Sequence, residues 1–186
     1  VLKTPEFLDR LEATAPIAYS TSFIIHFSTP PGEPRVIGIE RQTASQTPPS
    51  AADYEAGLIA KYGQPVSRSV THNLVWEEPE KPRCGRSLNH KKQLEPDVFT
   101  KNRNKALQVV ESRQRNKANG LPADLTSCGA YHTYLRNGLD PVVRFNAHMY
   151  DLGGIVASER RSGAWVAQIK ADAIKKRQAG GKVPKL

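Results

Sequence analysis

Residues 19–27 read YSTSFIIHF, residues 30–34 PPGEP and residues 35–41 RVIGIER, and the architecture is built around this run. β-branched and aromatic residues fill the two outer stretches. Phe23, Ile25 and Phe27 share one side of the first, while in the second Val36 and its even-numbered neighbours oppose Ile37 and Ile39. Three prolines and Gly32 stand between them and favour a turn, so the pattern predicts an antiparallel hairpin.

Working outward, Thr4-Pro5-Glu6 has the form of a helix start, and Phe7, Leu8 and Leu11 fall on one face of the short opening helix it predicts. Residues 43–49 are rich in Thr, Ser, Gln and Pro and read as a loop. Ser50 and Asp53 then form a capping box with Asp in place of Glu. Tyr54, Leu58, Ile59 and Tyr62 trace the buried stripe of the helix that follows, and Gly63 and Pro65 stop it. Ser69 to Glu77 alternates Val70, His72, Leu74 and Trp76, which predicts a strand anchored by Trp76.

Ala130–Arg136 and Val142–Tyr150 flank Asn137-Gly138, a strong signal for a second hairpin. In its second strand Val143, Phe145, Ala147 and Met149 alternate with the mostly polar set Val142, Arg144, Asn146, His148 and Tyr150. A last helix follows Asp151, with Ile155, Val156, Trp165, Val166, Ile169 and Ala173 as its inward stripe. These elements predict one α+β domain over residues 1–179, an antiparallel sheet of about five strands with helices packed on one face, followed by a disordered tail over 180–186.

The chain has 186 residues, the size of one ordinary domain, and 38% of them are hydrophobic, enough for a core. No run of eighteen apolar residues occurs, which excludes a helical membrane span. Charge is localised within the total of +9: residues 1–80 carry 6 basic and 10 acidic groups, and residues 81–117 carry 11 basic and 3 acidic ones. Residues 153–186 are again basic, with 8 basic and 2 acidic groups.

The segment of about 80–120 therefore reads as a basic insertion. Arg83, Arg86, Lys91, Lys92, Lys101, Arg103, Lys105, Arg113, Arg115 and Lys117 make it a candidate contact for an acidic protein partner, an anionic surface or a nucleic acid. With Phe99 its one aromatic, nucleic-acid binding there would be sequence-independent and strongly salt-sensitive.

The two cysteines, Cys84 and Cys128, lack CxxC spacing, so zinc through them alone is disfavoured. One reading joins them in a disulfide closing a loop of about 45 residues, which would add about 4 kcal/mol of stability in an oxidising compartment. The other leaves two reduced, partly buried thiols in a cytosolic protein.

The run Gly57-Leu58-Ile59-Ala60-Lys61-Tyr62-Gly63-Gln64-Pro65 is followed by strand residue Trp76, by Cys84, and by Cys128-Gly129 before a strand ending in Asp151. Over residues 50–79 and 125–170 this resembles a pattern in secreted bacterial proteins of unassigned function. The resemblance implies an exported location, periplasmic or secreted, and a disulfide; it implies no reaction and no catalytic residue.

On the second hairpin, a loop over residues 137–141 places His132 and Tyr134 on one face with Arg144, Asn146 and His148, a polar cluster able to hold an anion or exchange protons. The alternative is the solvent face of an amphipathic hairpin. His72 reads as a core or rim histidine, His26 lies opposite Phe23 and Ile25, and His90 has no acidic or cysteine neighbour at ligand spacing, so no metal site and no cofactor are expected. Gly-x-Ser-x-Gly, P-loop, GxGxxG and HExxH motifs are absent, which counts against the common hydrolases and nucleotide-dependent enzymes. The resulting expectation is a non-enzymatic exported binding or assembly module, with a cytosolic nucleic-acid binder as the alternative.

Overall fold

The computed structural model describes residues 10–16, 19–68, 73–84, 121–137 and 140–180. Seven strands form one sheet: β1 (Arg10–Pro16), β2 (Tyr19–Phe27), β3 (Val36–Ser45), β4 (Ser67–Arg68), β5 (Leu74–Glu77), β6 (Ala130–Asn137) and β7 (Arg144–Asp151). Two helices, α1 (Ala51–Tyr62) and α2 (Leu152–Gly180), and a single 3-10 turn at Leu125–Ser127 complete the described elements. The sheet order is β1-β2-β3-β7-β6-β5-β4, with every neighbouring pair antiparallel. Two meanders, joined through α1, thus meet where β7 lies beside β3. This is the expected α+β class, with β1 and the two-residue β4 added to the expected strands.

The opening hairpin forms as read, and Gly32 turns at φ 111°, a left-handed conformation that favours glycine. Its register carries one irregularity: His26 faces Gly38 and Phe27 faces Val36, leaving Ile37 as an extra residue in β3. The bulge separates Ile37 from Ile39, which strict alternation had placed together. Ile37 joins the buried cluster under α2, whereas Ile39 stays half-buried in line with Met149.

α1 matches its signals closely. The Ser50 hydroxyl accepts from the Asp53 N–H (3.1 Å) and donates to the Asp53 carboxylate (2.6 Å), and the N–H of Gly63, at φ 77°, closes on the Ile59 carbonyl.

Several expectations require correction. Of the predicted opening helix, residues 1–9 lie outside the described residues, and Arg10 to Pro16 form β1, paired with β2 from Arg10↔His26 to Pro16↔Ser20. The open edge of β2 offers a ladder of backbone partners that a short helix with three apolar residues cannot match. The predicted loop at 43–49 begins later, because β3 continues to Ser45: Thr43 is buried and hydrogen-bonded to Thr21, and the Ser45 N–H reaches the Val143 carbonyl. In the predicted strand 69–77 only the end, β5, is described; Val70 and His72 lie outside the described residues.

The helices do not share one face. α1 packs Leu58, Tyr54 and Tyr62 against Leu74, Trp76 and Tyr134, with the Trp76 indole N–H donating to the Gly63 carbonyl. The start of α2 packs Leu152, Ile155 and Val156 against Ile37, Val75, Tyr131 and Tyr150 on the other side. Side chains alternate along β5 and β6, so Val75 and Tyr131 serve one helix while Trp76 and Tyr134 serve the other.

Cys84 and Cys128 form a disulfide, both buried, with Cα atoms 5.7 Å apart. It fastens the chain beside the start of α2, where a Cβ on Gly153 would fall 2.5 Å from the Thr126 carbonyl oxygen and 2.7 Å from that of Cys128. Only glycine permits that approach.

The predicted inward stripe of α2 is fully buried in its first turns alone, and further along Trp165 and Ala173 are half-buried. Ile155 and Val156 are buried, but Val166 and Ile169 are 40% and 48% exposed. A helix of 29 residues is about 43 Å long. The eight residues of β7 span about 27 Å, so the helix outruns the sheet that buries it. Gly180 still belongs to α2, and the rest of the expected tail, 181–186, lies outside the described residues. Among the described residues no helix is long and apolar enough to cross a membrane.

Candidate functional site

The second hairpin does not assemble the predicted polar cluster. Its strands pair Thr133 with His148 and His132 with Met149, because the connection runs from residue 138 to 143 and not from 137 to 141. One residue more in the loop reverses the parity. His132 and Tyr134 therefore face α1, and Arg144, Asn146 and His148 lie on the opposite face.

His148 instead meets two residues that sequence reasoning left aside. Glu40 is its partner across β3–β7, and His26 reaches the same carboxylate from β2. The His26 Nε2 lies 2.7 Å from Glu40 Oε1, and the His148 Nδ1 lies 3.8 Å from Glu40 Oε2 and 3.3 Å from the Tyr150 hydroxyl. Gly38 makes room for this arrangement, since a Cβ there would stand 2.7 Å from the Tyr150 ring and 3.4 Å from the His26 ring. Above it, the Ser158 hydroxyl of α2 accepts from the Thr29 N–H (2.6 Å) and holds the helix over the end of β2.

Burial pushes the Glu40 carboxyl up, but the His26 hydrogen bond, the nearby His148 and His26 and the Tyr150 hydroxyl together outweigh it, and the group ends below its ordinary 4.5. Glu40 thus bonds His26 and lies within ion-pair distance of His148, so one carboxylate sits between two imidazoles. Gly38 and Glu40 were legible as strand residues; only the pairing of β3 with β7 reveals what they do.

On the α1 face, His132 lies edge-on to Tyr62 (4.9 Å) and Trp76 (5.5 Å), and burial pushes its imidazole below the ordinary 6.5. Tyr134 donates to the Tyr62 hydroxyl (2.7 Å), and burial first, then that bond, pushes its own ionisation up. This half of the face is aromatic packing. Among the described residues no helix covers the other half. There Leu11, Ile25, Ile39 and Met149 form a row across β1, β2, β3 and β7, with Leu11 and Met149 47% and 46% exposed. Next to it the exposed Arg41 lies over two rings, its Cζ 5.9 Å from the Phe23 centroid and 5.5 Å from that of Phe145. Its Nε donates to the Thr43 hydroxyl (3.0 Å), which in turn meets Thr21 (3.3 Å).

Of the predicted basic contact residues only Arg83 is described. It is exposed, with Nε 3.5 Å from a Glu77 carboxylate oxygen. Arg86, Lys91, Lys92, Lys101, Arg103, Lys105, Arg113, Arg115 and Lys117, together with His90, lie outside the described residues. Arg144 is exposed at the start of β7, and the amide oxygen of Asn146 is buried with no hydrogen-bond partner. Among the described residues no three His, Cys, Asp or Glu side chains are disposed to hold a metal ion.

No protein-family model, no curated protein and no solved structure matches the chain.

Proposed function

We propose that this chain is a non-enzymatic binding or assembly module of an oxidising compartment, periplasmic or extracellular, whose partner is an acidic protein or another polyanion. The observation that carries the reading is the uneven cover of the sheet. α1 shields one half of its face, while the other half exposes apolar side chains beside an exposed arginine, a composition common in contact surfaces. The buried Cys84–Cys128 bridge supports the location. Thiol-specific alkylation of native material, trapped with acid at harvest and read by mass spectrometry, tests it. Cys84 and Cys128 are expected to alkylate only after reduction; if both alkylate before it, the exported location is wrong.

The second reading, a sequence-independent nucleic-acid binder of the cytosol, draws on the far part of α2. There Arg160, Arg161, Lys170, Lys175, Lys176 and Arg177 are exposed, with Asp172 as the acid among them. It predicts retention on immobilised polynucleotide at low salt that collapses as salt rises. Neutralising Lys101, Arg103 and Lys105 together would weaken that retention. Unchanged retention would remove the basic segment as the contact.

A further inference from the structure

We propose that the open half of the α1 face docks an amphipathic helix of a partner protein, and that Arg41 recognises a carboxylate at the edge of that helix's apolar stripe. The inference rests on the reading of the chain as a binding module and names the partner's chemistry. It does not depend on the redox compartment, so the alkylation experiment can fail without it, and it without the alkylation experiment.

The width of the surface comes first. Neighbouring strands lie about 4.8 Å apart, so the axes of β1 and β7, the outer two of four, are about 14 Å apart. A helix with its side chains is about 10–12 Å across; α1 reaches only the border of this floor, where Tyr54 meets the Phe145 ring of β7 (5.2 Å), and among the described residues one more helix fits beyond it. The Leu11, Ile25, Ile39 and Met149 row, with Phe23 and Ala147 in the adjoining row, offers it an apolar floor. On the opposite side of the same strands stand Ser22, Ile24, Glu40, Gln42 and His148, with Ile37 and Tyr150 buried under α2.

Arg41 selects the partner. Its guanidinium is fixed by Thr43 and by two phenyl rings, and among the described residues no carboxylate pairs with it. The Nε donor is engaged by Thr43, and the exposed guanidinium keeps its terminal N–H groups for a further acceptor. A fixed guanidinium loses little freedom on meeting a planar carboxylate, and the chain's net +9 steers an acidic partner toward it. A second copy of this chain fits less well, since a twofold contact through this face would bring the two Arg41 charges toward each other.

The test uses the whole oxidised protein, labelled at Ile and Met methyl groups, and a blocked synthetic helix with Leu along one face and a single Glu at its edge. Versions with Gln or Lys in place of that Glu serve as partners for comparison. The Glu peptide is expected to shift the Ile25, Ile39 and Met149 methyl signals saturably, and the Gln peptide to bind about tenfold more weakly. Arg41→Gln should remove the difference between the two peptides, while Arg41→Lys retains part of it, and unchanged Ile37 and Ile155 methyl signals verify the fold of each variant. No shift at these methyls up to about 1 mM peptide overturns the proposal. Shifts confined to Ile169 and Ile174 of α2, or equal affinity for the Glu and Lys peptides, overturn it as well.

Discussion

Glu40 and His132 are half-buried groups whose titration acts in the same direction. The Glu40 carboxyl lies below its ordinary value in the folded chain, so it favours folding above pH 4.5 and loses that effect as pH falls through the folded value. His132 is pushed below 6.5, so the unfolded chain takes up this proton first and stability declines once pH drops beneath 6.5. Urea midpoints measured from pH 8 to pH 3 should therefore fall in two stages. His132→Phe should flatten the upper stage, and Glu40→Gln, which takes the carboxylate from two imidazoles, should lower stability at pH 7 by about 1–3 kcal/mol and flatten the lower one. Gly38→Ala places a methyl against the Tyr150 ring, and a loss of about 1–3 kcal/mol in the same assay is expected. A neutral Gly38→Ala would mean that the ring moves freely.

At the scale of elements, the capping of α1 was readable because Ser50, Asp53 and Gly63 act on backbone groups within four residues of themselves. The identity of β1 was not. Its residues also suit a helix, and the deciding interaction is with β2, on the other side of a turn. The His132–His148 pairing failed for the same kind of reason, since one residue of loop length between Asn137 and Arg144 exchanges the faces of a whole strand. Two element-scale outcomes follow from what the structure buries. The Cys84–Cys128 bridge spans 44 residues of sequence, and Cys84→Ser with Cys128→Ser should cost about 4 kcal/mol by denaturant unfolding in the chain-entropy account. Ending the chain at Gln168 removes exposed Ile169 and Ile174, and the melting temperature should change by less than about 3 °C. A far larger drop would show that the outer part of α2 is part of the folded core.

Across the whole molecule, order should be greatest where the two meanders join. β2, β3 and β7 are each paired on both sides and carry the His26–Glu40–His148 network, whereas β1 and β4 end the sheet among the described residues. Amide exchange followed by mass spectrometry should be slowest in residues 38–43 and 145–150 and fastest in β1 and beyond Arg161 of α2. Uniform protection from β1 to β7 would contradict this gradient.

By itself the sequence determined what depends on near neighbours: the α+β class, the two hairpins, the limits of α1 and the localisation of positive charge. Those features follow from side-chain period, turn chemistry and capping, which act over a few residues. Tertiary structure alone decided which strands adjoin, which face each side chain takes and which helix covers it, because register is fixed by pairing between segments far apart in the chain. Hence Glu40, an unremarked strand residue, came to lie between two histidines, and Arg41, one position along, faced the other side of the sheet.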